Sequence, residues 1–255
     1  MHHSEWLDQA QRVPVGQKRR VYHGAERTPA MDVWNNDDSW SAYCHRCHES
    51  ARVSKGYIEK LEEVQEVEYL NVNDIVSLDV MRSKHIYWYK VLVQHLHAKG
   101  VSTTIIEPYR PMFNTKDKRL VFRLDGTDIG RDLTGKSVMK WRVYRTVKGY
   151  VYLQGKDSIV LCEDLYSSMK VHHYTGKSVM CLLGTGINDA KINKILSTEN
   201  TVNIMLDGDD AGRDGTSSIT KRLSSLGIPF KVIEVLEGND PKDLKPIELV
   251  RLLNG

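Results

Sequence analysis

No run of about twenty consecutive apolar residues occurs in this 255-residue chain, which excludes a membrane-spanning helix. The opening stretch, MHHSEWLDQAQRVPVGQKRR, carries charge but no apolar core segment, so it does not read as a secretory signal; the expectation is a cytoplasmic protein (host cytoplasm if viral) that makes no membrane contact. Internal repeats and low-complexity tracts are missing, which sets aside solenoids and disordered tails. Cysteine is scarce, at four residues, and two of these (Cys162 and Cys181) sit alone inside apolar runs as small core residues, so no disulfide framework is expected. Phenylalanine is scarcer still, at three, and no single-sign charge excess exists: 36 basic residues face 33 acidic ones. The 40% hydrophobic and 27% charged content is ordinary globular usage.

What is present is unevenly distributed. Between Glu107 and Lys148 eleven Lys and Arg residues stand against five acids, a local excess suited to a polyanion or to a solvated basic face. The first fifty or so residues are polar and rich in His and Trp, and they need a staple or a neighbour to hold them. Two short strand-like runs, Ala30–Trp34 and Trp40–Tyr43, flank the turn-forming Asn35-Asn36-Asp37-Asp38 and lead into Cys44-His45-Arg46-Cys47-His48, which reads as a hairpin ending in a C-x-x-C pair. Tyr57–Leu70 is charged and reads as a helix or a linker. Ser83–Ala98 has helical spacing (Ile86, Tyr89, Val93, Leu96) and ends at Gly100. RLVFRL at Arg119–Leu124 and the run Trp141–Tyr144 suggest a small β-rich region. After Gly155, four continuous apolar runs (Ser158–Cys162, Ser178–Leu183, Val202–Leu206, Phe230–Val235) alternate with helix-length segments, which predicts a parallel sheet covered on both faces.

Ligands of open α/β sheets bind beyond the carboxyl ends of the strands. The residues leaving those ends here are Glu163-Asp164, Gly184-Thr185-Gly186, Asp207-Gly208-Asp209-Asp210-Ala211-Gly212 and Glu237-Gly238-Asn239-Asp240-Pro241-Lys242-Asp243. Carboxylates gathered on one edge repel each other, and a hard divalent cation relieves that repulsion. A single such Asp reads more simply as a helix cap, but four acidic or glycine-bearing exits together point to a metal site. Two metal ions held this way can clamp the attacking and leaving oxygens of a phosphoryl displacement.

These motifs, in this order and spacing, resemble the Toprim domain over roughly Lys156 to Leu244. The resemblance implies a fold of α/β class, a Toprim parallel sheet with flanking helices. It also implies that Glu163, Asp207 and Asp209 are catalytic acids holding Mg²⁺ or Mn²⁺, with Asp240 and Asp243 supporting. The chain departs from the primase members at Asp164, where Glu-Gly is usual. Upstream, Arg119–Leu124, Gly130–Ser137 and Lys140-Trp141 resemble the basic region of bacteriophage-type DNA primases, and on that resemblance Arg131, Lys136 and Lys140 bind nucleotide or template phosphates across a groove from the acids. The string GRDLTGKS (Gly130–Ser137) satisfies the P-loop pattern letter by letter, yet the following VMKWRVYR reads as a strand where a P-loop opens a helix.

The same resemblance makes the N-terminus a zinc-ribbon-like β-hairpin with Cys44, Cys47 and His23 as Zn²⁺ ligands and His48, His45 or Glu26 as the fourth. The other reading is a degenerate finger held by packing of Trp34, Trp40 and Tyr43. The expected organisation is a template-binding domain at 1–55, a small mixed α+β part of the primase core at 56–155, and the Toprim subdomain at 156–255. A DNA primase making short RNA primers by metal-dependent nucleotidyl transfer is the function this implies. Its partners would be single-stranded DNA, ribonucleoside triphosphates and, since no helicase motor follows in this sequence, a separate replicative helicase. A Toprim-family nuclease and a non-catalytic, recombination-mediator-like DNA-binding protein are the alternatives.

Overall fold

The computed structural model describes residues 2–24, 28–36, 39–55, 70–198 and 201–254. Three sequence-based expectations therefore lie wholly or partly outside the described residues: the turn at Asp37-Asp38, Glu26 as a zinc ligand, and the form of the charged stretch before Leu70. The chain divides into two compact units, Met1–Glu66 and Val67–Gly255.

The first unit is a short helix α1 (Leu7–Gln11) and four strands, β1 (Gln17–Val21), β2 (Met31–Asn35), β3 (Ser39–Cys44) and β4 (Ser50–Ser54), paired antiparallel in chain order. Val33 opposes Ala42 and Met31 opposes Cys44, so the period-two alternation puts these four on one face. Trp6 and Ala10 cover that face and are fully buried. Of the three aromatics expected to hold the hairpin, only Trp40 joins this core; Trp34 and Tyr43 are not among the side chains packed against it. The main aromatic is Trp6, from a segment whose polar composition hid it. Asp32, on the other face, is 3% exposed and paired with Arg20, Lys18 and His45. Hydrogen bonding by Arg20 outweighs burial and holds its carboxyl far below the usual range.

The second unit begins with β5 (Ile75–Ser77), α2 (Leu78–Lys84), α3 (Ile86–Ala98), α4 (Thr103–Ile106), β6 (Met112–Asn114), β7 (Arg119–Leu124), β8 (Thr127–Asp132) and β9 (Trp141–Arg145). Its five strands form an antiparallel meander in chain order. The helix expected from Ser83 is broken at His85. Its buried positions are Leu92 and Leu96, while Ile86 and Val93 are exposed. The run IYWYKVLV is apolar at two helical phases, so periodicity alone cannot choose the phase, and packing of Trp88 near Phe113 selects it.

Then follow β10 (Val151–Leu153), β11 (Lys156–Cys162), α5 (Leu165–Thr175), β12 (Lys177–Cys181), α6 (Asp189–Leu196), β13 (Val202–Ile204), α7 (Asp210–Ser225), β14 (Phe230–Val232) and α8 (Pro246–Asn254). The strand order is β10-β12-β11-β13-β14, parallel except for β10. Each inner strand is buried on both faces: Val160 and Cys162 face one core, Ile159 and Leu161 the other. The first core also holds Phe113, Leu120, Phe122 and Ile129, so both sheets share it. A division between residues 155 and 156 would separate β10 from its own sheet, because β10 pairs with β12.

Candidate active site

All four parallel-strand exits meet at one sheet edge, as in other open α/β sheets. Glu163 leaves β11 and its Oε1 accepts a hydrogen bond from the Asp207 N–H at 3.0 Å, tying two exits together. The Gly208 N–H donates to the Asn239 carbonyl at 2.8 Å, and the Gly238 N–H donates to the Gly208 carbonyl at 3.0 Å, which stitches the third exit to the fourth. Two glycines in this turn are demanded by contact: a Cβ on Gly208 would lie 2.2 Å from the Leu236 carbonyl oxygen, and one on Gly212 would lie 2.0 Å from that of Asp207 and 2.9 Å from Glu163 Oε1. Gly212→Ala is therefore expected to cost about 3 kcal/mol of stability by overpacking and to displace Glu163; denaturant unfolding of the variant checks it, and an unchanged midpoint would contradict the contact.

The acids divide by what their oxygens already do. Asp164 caps α5, its Oδ1 accepting from the Tyr166 N–H at 2.7 Å and the Ser167 N–H at 3.2 Å. Asp209 caps α7 through the Gly212 N–H at 2.8 Å. Asp243 Oδ2 accepts from the Asp240 N–H at 2.8 Å, so Asp243 supports Asp240 through the backbone. Asp207 caps nothing: its Oδ1 is buried without a hydrogen-bond partner. Burial, followed by the charges of Glu163, Asp240 and Asp164, pushes its carboxyl up to about 8. Burial likewise raises Glu163, against the opposing Asp207 N–H, and Asp209 adds to the rise.

Carboxylate oxygens of Asp164, Asp207 and Asp240 all lie within 4.8 Å of one another. An orphaned, charge-crowded Asp207 between such neighbours fits a hard divalent cation. Lys242, from the fourth exit, lies among them: its Nζ donates to Asp164 Oδ2 at 2.8 Å and to Asp240. Burial of Asp164 opposes its ionisation, but Lys242 overcomes this and lowers it.

A cleft of about 300 Å³ opens onto Glu163, Asp164 and Asp207, with Gly184 and Leu183 beside them. The facing wall is Ile129, Trp141 and Val143, from β8 and β9. Arg131, Lys136 and Lys140, expected across a groove from the acids, are not among the residues that line this cleft. Arg131 is 9% exposed, stands opposite Trp141 in the β8–β9 register and holds its guanidinium 5.3 Å from that ring's centroid, beside the wall rather than in the lining. Lys136 and Lys140 are exposed on the loop between β8 and β9, outside the cleft lining. The short β-strands of the hairpin placed Trp141 inward, and the loop carried both lysines away. That loop is followed by β9, so the P-loop string opens no helix.

In the first unit, ligand atoms of His23, Cys44 and Cys47 lie within 4.8 Å of one another, and among the described residues this group has three members. His23 Nδ1 lies 3.6 Å from Cys47 Sγ, and its Nε2 lies 3.4 Å from Glu5 Oε2, the outer-carboxylate arrangement of metal-bound histidines. The Cys47 N–H lowers the Cys44 thiol to about 7. For Cys47 the Glu49 N–H favours the thiolate, but burial and Cys44 prevail and raise it. Two thiols and an imidazole in reach of one point fit zinc. His45 and His48 lie outside this group of three: His45 Nε2 is 3.1 Å from Asp32 Oδ2, and His48 Nδ1 is 3.1 Å from the Tyr43 hydroxyl.

The sequence matches the Toprim-like family model over residues 160–245, from β11 through the Asp240 turn. The DNA primase of Staphylococcus epidermidis is 27% identical over 101 residues, 40% of this chain but 17% of that protein's length. The crystal structure of the zinc-binding and RNA polymerase domains of Aquifex aeolicus primase superimposes with a TM-score of 0.53 at 15% identity, covering 95% of this chain and 79% of that one. A DnaG primase catalytic domain bound to single-stranded DNA gives 0.53 at 15% identity, covering 66% and 72%. The chain thus has the α/β fold of primase zinc-binding and polymerase domains, with the Toprim-like acids at the sheet edge and the small β-rich region before them.

Proposed function

We propose that this chain is a DNA primase that condenses ribonucleotides into short RNA primers on single-stranded DNA. The observation that carries this reading is Asp207, whose Oδ1 is buried and unpartnered at the meeting of four strand exits in a stretch matching the Toprim-like model, facing a cleft of about 300 Å³. Glu163, Asp207 and Asp209 would hold Mg²⁺ or Mn²⁺, which when bound stabilises charge on phosphoryl oxygens. Trp141, Ile129 and Val143 give a base an apolar surface opposite the acids. Lys136 and Lys140, exposed on the adjoining loop, meet template or triphosphate from outside the cleft. Arg131 acts through Trp141, whose ring it covers. The first unit contributes template contact around a Zn²⁺ held by His23, Cys44 and Cys47; Cys44→Ser is expected to reduce bound zinc from one ion per chain to none, read by metal analysis. A separate replicative helicase and a cytoplasmic site of action complete the reading.

Incubation with single-stranded templates, labelled ribonucleotides and Mg²⁺ tests it. Short template-dependent RNA supports synthesis. Shortened template without new RNA would instead mark a nuclease, and binding with neither product a non-catalytic module.

A further inference from the structure

We propose that Lys242 is a built-in cation occupying one of two cation positions in the acidic cluster, so that the site takes a single divalent ion. The inference rests on the metal-dependent reading above and goes beyond it. Asp164, Asp207 and Asp240 are close enough to chelate an ion between them, yet the ammonium of Lys242 already bridges Asp164 and Asp240. Both carboxylates are further engaged: Asp164 Oδ2 also accepts from the Ser167 hydroxyl at 2.9 Å, and Asp240 belongs to a reciprocal cap with Asp243. An ammonium offers one charge and three donors and satisfies both acids without water. Of the remaining acids, Glu163 and Asp209 each give one oxygen to a backbone N–H, while Asp207 Oδ1 is unpartnered.

The lysine is pinned at its backbone. Its carbonyl accepts from Lys170 Nζ at 2.6 Å, and that same Nζ donates to the Gly100 carbonyl at 2.8 Å. Lys170 is 6% exposed and Lys242 7%. A long side chain held at both ends, by carbonyl clamp and by two carboxylates, cannot swing aside for an incoming metal without leaving two partly buried acids uncompensated. Lys242 is therefore a positioning residue: it fixes the Asp240 turn to the start of α5 and fills the position a second ion would take.

Counting Mn²⁺ bound by the full chain, from the electron paramagnetic resonance signal of free Mn²⁺ with equimolar Zn²⁺ present, tests this. One Mn²⁺ per chain is expected for the unaltered protein, one for Lys242→Arg and two for Lys242→Gln. Two ions in the unaltered protein, or one in a folded Lys242→Gln, overturns the role of Lys242 while leaving the metal site standing. No bound Mn²⁺ in the unaltered protein removes the metal reading and this inference together. Should Lys242→Gln not fold, the count for the unaltered protein decides alone.

Discussion

Asp207→Asn is expected to reduce primer synthesis about a thousand-fold, roughly 4 kcal/mol of lost transition-state stabilisation, while the chain stays folded. The hydrogen bond that joins the exits of β11 and β13 uses the backbone N–H of residue 207, which the substitution keeps. Asparagine matches aspartate in shape, so Gly208 and Gly212 retain their close contacts. What disappears is a charge placed among other carboxylates, where it is costly without a cation. In chelator at alkaline pH the variant should therefore melt higher than the parent protein. Activity and melting temperature move in opposite directions under this account. A variant that loses both would show that Asp207 serves the fold, and one that keeps activity would remove it from the site.

Metal binding at the acidic cluster should strengthen about tenfold for each pH unit up to about 8, close to a thousand-fold from pH 5 to pH 8, because the Asp207 proton must leave before the carboxylate can coordinate. The sign for stability is the reverse. The folded, metal-free protein keeps that proton to about pH 8, whereas the unfolded chain loses it near 3.8. Between those values the folded state binds more protons, so stability is greatest at the acid end and falls as pH rises through the folded value. Mn²⁺ titrations at several pH values, paired with melting curves in chelator, read both slopes. A flat affinity profile, or a metal-free protein that gains stability from Asp207 as pH rises, would contradict the crowding of charges described here. Asp207→Asn should flatten both profiles, which separates this carboxyl from Glu163 beside it.

The four apolar runs after Gly155 announced a parallel sheet because strands buried on both faces must be apolar at every position, and β11 to β14 lie where those runs do. The acids at their exits were legible for a related reason: chain direction in a parallel sheet sends every carboxyl end to one edge. The Gly212 position was also readable, since a glycine three residues beyond Asp209 is where the first turn of α7 meets the Asp207 carbonyl. The phase of α3 was not readable, because its apolar residues satisfy two helical faces and only the neighbouring sheet chooses between them.

Charge in the basic stretch was visible, but its direction was not. Arg131, Lys136 and Lys140 are close in sequence, yet a strand end and a loop separate a buried guanidinium against the Trp141 ring from two exposed ammonium groups. Lys242 escaped notice because its meaning depends on Asp164, 78 positions earlier in the chain. Local sequence thus determined the strands, their acidic exits and the C-x-x-C hairpin, since each depends on residues a few positions apart and on alternation or turn chemistry. Tertiary structure alone decided which acids are caps, which one stands unpartnered, which face of the cleft is apolar and where an internal cation sits. Those properties arise from side chains brought together from distant segments, where burial and Coulomb interaction act on distances that no spacing in the sequence records.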